Sequence, residues 1–151
     1  MAEPGASRVE GRPRPPVHLW IVGVLALLWN AMGVWDYLAT QTRYEPYMSQ
    51  YSEVQLAYFY GFPAWVVAVW AISVFSGFLG AIALLLRRKW AVWLFALSLA
   101  GLVINSIYTF VLSEGADVMG TVGAVMTLVI FVVAIALWWY AKRMAAKGVL
   151  T

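Results

Sequence analysis

The stretch PAWVVAVWAISVFSGFLGAIALLLRRK, residues 63–89, decides the fold. It runs from Pro63 to Leu86 without a charge and then meets three bases in a row. About 20 apolar residues suffice to cross a hydrocarbon core of roughly 30 Å as a helix. Three further runs match it: His18–Thr42, Trp90–Leu112 and Val118–Tyr140. None shows the two-residue alternation of a barrel strand. In lipid, backbone groups must be satisfied inside the segment, so the runs are helices. The predicted fold is all-α: an antiparallel four-helix transmembrane bundle over residues 17–142. Residues 1–16 are expected to form a disordered cytoplasmic tail and residues 143–151 a short basic one.

The charges orient the bundle. Nine of the ten Lys and Arg residues fall in three places. These are Arg8, Arg12 and Arg14 before the first run, Arg87, Arg88 and Lys89 between the second and third, and Lys142, Arg143 and Lys147 after the fourth. Basic residues in short loops stay on the cytoplasmic side. Both termini are therefore expected on the cytoplasmic side. The other face carries Asp36, Glu45, Glu53, Glu114 and Asp117 against Arg43 alone. The net charge of +3 is the sum of two faces of opposite sign and does not point to nucleic acid. The expected partners are the bilayer, anionic lipid at the basic face, and a second copy or another membrane protein.

Composition narrows the chemistry. Cysteine is absent, which removes disulfide and thiolate chemistry. His18 is the sole histidine, too few for a histidine metal site, and its place beside Trp20 suits the interface. The sequence holds no Walker loop, zinc signature, nucleophile–base pair or cofactor fingerprint. No enzyme activity, metal or cofactor is expected.

Between the first two runs, Tyr44, Tyr47, Tyr51, Tyr58 and Tyr60 crowd one loop. Ser52-Glu53-Val54-Gln55 has capping-box spacing and predicts a short helix over Glu53–Tyr60. This loop reads as an interfacial aromatic cap or as a lid over a ligand.

Polar and small residues fall in stripes. Gly23, Ala26, Asn30, Gly33 and Tyr37 share one face of the first helix; Ser98, Gly101, Asn105, Tyr108 and Leu112 share one face of the third. Small residues let membrane helices approach, and an Asn can bond across the contact. Asn30 and Asn105 are therefore expected to face the bundle interior. Gly77 and Gly80 on the second helix, and Gly120 and Ala124 on the fourth, read as packing positions. The matched stripes, with Ala81-Ile82-Ala83-Leu84 echoed by Ala134-Ile135-Ala136-Leu137, fit two repeated hairpins. Asp36 is the one carboxylate within the four runs, and Thr40 lies one turn away as a donor. The candidate polar contacts are Asn30, Asp36, Tyr37, Asn105 and Tyr108. Two readings follow: an interaction or accessory protein held together by packing stripes, or a small-solute transporter with a polar path between helices. A closed interior favours the first and a polar cavity the second.

Several stretches carry a resemblance: Trp29-Asn30-Ala31-Met32-Gly33-Val34-Trp35-Asp36-Tyr37, Gln55-Leu56-Ala57-Tyr58-Phe59-Tyr60-Gly61-Phe62-Pro63 and Met119-Gly120-Thr121, with a basic tail ending Gly148-Val149-Leu150. They resemble a family of small four-span bacterial inner-membrane proteins, mostly uncharacterised and often labelled sugar transporters. The likeness covers most of the chain after the N-terminal tail. It implies transport and supplies no site residue.

Overall fold

The computed structural model describes residues 11–151; the first ten residues, where most of the expected N-terminal tail falls, lie outside it. Among the described residues there are six α-helices and no strand. They are α1 (Val17–Gln41), α2 (Glu45–Met48), α3 (Glu53–Tyr60), α4 (Ala64–Leu85), α5 (Ala91–Ile107) and α6 (Gly115–Ala146). A π-helical turn, Tyr108–Leu112, prolongs α5. The helices α1, α4, α6 and α5 with its π turn are long and apolar enough to cross a membrane. The protein is a four-helix membrane bundle with its basic clusters at one end and most of its tyrosines at the other.

The long helices pack in chain order, α1 on α4, α4 on α5 and α5 on α6. Packed most closely, between α1 and α5, α4 buries Ser73, Ser76, Gly77, Gly80, Ala81, Ala83 and Leu84. Small side chains let the backbones close in, which is what drives helix association once lipid has removed the hydrophobic gain. The Ser73 hydroxyl donates to the Ser98 carbonyl on α5 at 2.7 Å. Such a bond between membrane helices contributes about 0.6–2 kcal/mol. The packed core lies at the basic end, where Leu19, Leu84, Ala91, Leu137, Ala141 and Met144 meet. The echoed segments differ in surroundings: Ala81 and Ala83 are buried, whereas Ala136 is exposed.

The last residues belong to this core. After α6 the chain turns at Gly148, whose φ of 72° suits glycine, and sends Val149 and Leu150 inward. Thr151 N–H donates to the Arg87 carbonyl at 2.8 Å, and Lys89 N–H donates to the Thr151 carbonyl at 3.1 Å. The Arg87 guanidinium donates to the carbonyls of Val149 at 3.0 Å and Pro13 at 2.9 Å. Residues 147–151 thus form a docked strap, and helix occupies the start of the expected tail.

At the other end the capping box forms as its spacing predicts. Gln55 N–H donates to Ser52 Oγ, and Ser52 N–H donates to Gln55 Oε1. It starts α3 at Glu53, and α3 touches both α1 and α6. Tyr58 hydrogen-bonds Ser113 at 2.7 Å, tying α3 to the α5–α6 turn. Within α6, Gly120 has φ 62° and ψ −162°, so the helix kinks there. A side chain rarely adopts that φ, which gives glycine a conformational role.

Candidate functional site

Packing in chain order leaves α1 and α6 as the two ends of a row. They join at the basic end, where His18 Nδ1 and the Tyr140 hydroxyl share a hydrogen bond. Above that junction they face each other across a cavity of about 490 Å³, which all four long helices line. Phe95 and Leu137 line the cavity and also belong to the packed core. At the tyrosine end, Tyr47 and Tyr51 with Phe59 and Phe62 line it from the α1–α4 connection.

The walls are mostly aromatic and aliphatic, with polar groups set into them. Asn30, Asp36 and Asn105 all line the cavity. Asn30 Nδ2 donates to the Ala26 carbonyl of its own helix at 2.8 Å. Its Oδ1 lies over Gly77, where a Cβ would collide with it and would sit 2.9 Å from Ser98 Oγ. Asn105 Oδ1 is buried and has no hydrogen-bond partner. Such an atom costs free energy unless a ligand or water reaches it.

Asp36 has a partner that spacing along α1 does not reveal. The Tyr47 hydroxyl donates to Asp36 Oδ1 at 2.7 Å. Burial first, and this bond next, push the Tyr47 phenol well above its ordinary value, so it stays a donor. Thr40, expected to donate to the Asp36 side chain, instead donates to its backbone carbonyl at 2.8 Å. A threonine one turn along a helix reaches the i−4 carbonyl more readily than the outward carboxylate.

Tyr37 and Tyr108 belong to a different structure. Tyr37 packs edge-to-face on Trp70 at 5.1 Å, and Tyr108 on Trp65 at 5.5 Å and Phe62 at 5.8 Å. They extend a chain of edge-on rings from Tyr51 through Phe59, Phe62 and Trp70. Each such pair adds about 0.5–1.5 kcal/mol beyond burial, so these rings brace the end of the bundle that holds the cavity.

The packing positions divide in the same way. Gly23 lies against Leu85, Gly80 against Phe95 and Gly101 against Ser73, and Ala26 is buried. Gly33 has room, with Val74 at 3.8 Å from an added Cβ. Gly120 and Ala124 do not pack inward: Gly120 is the kink with nothing near it, and Ala124 is exposed. Gly123 and Thr127 take the inner face.

Trp29 and Trp70 both line the cavity. Trp35 packs on Tyr44 at 5.6 Å.

Compared with known proteins, the chain matches no family model, no curated protein and no solved structure.

Proposed function

We propose that this membrane protein binds a small solute inside its bundle and acts as a small-solute transporter. The observation that carries this reading is the cavity reaching Asn30, Asp36 and Asn105. Its volume lies within the roughly 300–1,000 Å³ of small-molecule sites, and an apolar wall with a few placed polar groups is their usual make-up. The packed core closes the basic end, so passage requires α1 and α6 to part there. The kink at Gly120 gives α6 a place to bend. The other reading, an accessory protein, rests on the exposed face of α6, where Val122, Leu128 and Val132 offer a surface to lipid, a second copy or a partner.

Flux separates the two. The full chain in proteoliposomes is tested with labelled glucose, glutamate and tetraethylammonium. The transport reading expects at least one to cross faster than in empty vesicles. It also expects Thr127→Trp, which fills the cavity from α6, to abolish that gain. Thr127 donates only to the Gly123 carbonyl of its own helix, so the exchange removes no tertiary bond. Failure of wild-type protein to move any of the three contradicts transport and leaves the accessory reading.

The proposed orientation places the basic end in the cytoplasm of a bacterium, facing anionic lipid. A reporter active only outside the cytoplasm is expected to give signal when fused at Gly115 and none at Lys89. The reverse pattern would contradict the orientation.

A further inference from the structure

The charge of the cavity wall goes further than its size. Asp36 lines the cavity, and among the described residues no Lys, Arg or His does. The nearest base along the chain, Arg43, is held elsewhere, its guanidinium 4.3 Å over the Tyr60 ring. It lines a smaller neighbouring pocket. The structure gives the Asp36 side chain one hydrogen-bond partner, the neutral Tyr47 hydroxyl. A carboxylate drawn among aromatic rings is costly unless an opposite charge or several donors compensate it.

The uncharged polar groups lean the same way. The protons of Thr40, Ser73 and Thr127 are spent on backbone carbonyls. A hydroxyl has one proton, so these three offer a ligand only lone pairs. Asn105 Oδ1 is an unused acceptor. Ser98, Ser106 and Thr109 serve as either donor or acceptor. Around them stand the rings of Trp29, Tyr51, Phe59, Phe62, Trp70 and Phe95. Aromatic faces attract cations, more so where water is excluded.

Resting on the solute-binding reading, we propose that the ligand is a compact organic cation, an ammonium on an apolar body, with its charge at Asp36. The alternatives fit the wall less well. An anion meets a carboxylate and no base. A sugar offers hydroxyls to the wall but no opposite charge to Asp36. A purely apolar guest leaves the Asp36 charge uncompensated and Asn105 Oδ1 without a partner.

Three probes of one shape test the charge: protonated tryptamine, neutral tryptophol and anionic indole-3-propionate. Each is measured by equilibrium dialysis against the full chain in phosphatidylcholine nanodiscs, with empty discs subtracted. Tryptamine is expected to bind about tenfold or more tighter than tryptophol, the effect of one desolvated charge contact, with the propionate weakest. Asp36→Asn keeps an acceptor for Tyr47 and removes the charge. It should bring tryptamine down to the level of tryptophol, whose own binding holds and thereby reports an intact cavity. Tyr47→Phe keeps the carboxylate and should keep the preference. Tryptophol or the propionate binding as tightly as tryptamine, or a preference that survives Asp36→Asn, would overturn the cation assignment and leave solute binding standing. Absence of binding by all three to the wild type would overturn both.

Discussion

Replacing Gly77 by alanine is expected to lower the stability of the bundle by about 1–3 kcal/mol, the usual cost of forcing an extra carbon into a filled site. The reason is local. A Cβ at Gly77 would fall on Asn30 Oδ1 and lie 2.9 Å from Ser98 Oγ. Three helices meet there, so relief on one side tightens another. Asn30 cannot simply rotate away, because its Nδ2 is held by the Ala26 carbonyl. Gly33→Ala is the matched control. An added Cβ there lies 3.8 Å from Val74, an ordinary contact. Its cost should stay within about 0.5 kcal/mol, as for substitutions that disturb no packing. Unfolding of both variants in mixed micelles by increasing fractions of denaturing detergent measures the difference. Equal stabilities would mean that Asn30 does not occupy the notch above Gly77.

The four helices were legible because length and apolarity alone decide whether a segment can cross a membrane. The capping box was equally legible, since its two bonds depend on four consecutive residues. Asn30 and Asn105 were read as facing the interior from stripe spacing, and both line the cavity. What escaped depends on contacts between segments distant in sequence. Tyr47 lies 11 residues from Asp36, on another helix. Nothing in the spacing along α1 announces it. The inner face of α6 was misjudged because Gly120 interrupts the helix, and counting three and four residues through a kink does not follow one face. The docking of Val149 and Leu150 was hidden behind their basic neighbours, which suggested a solvated tail. Tyr37 and Tyr108 shared stripes with the two Asn residues, yet they lie beyond the cavity, in the ring network that braces it.

Cysteine accessibility tests the cavity most directly, and the chain is suited to it because it contains no cysteine of its own. Thr127 and Leu128 are neighbours on α6, at nearly the same depth. Thr127 lines the cavity, and Leu128 is 63% exposed on the surface of the bundle. In a bilayer that outer surface is covered by lipid or by a partner helix, and both are dry. A thiol reacts as its thiolate, which needs water or a polar lining around it. With a trimethylammonium methanethiosulfonate added to protein in nanodiscs, Thr127→Cys is expected to react about a hundredfold faster than Leu128→Cys. Slow reaction at both positions, or faster reaction at Leu128→Cys, would contradict a solute-accessible cavity inside the bundle.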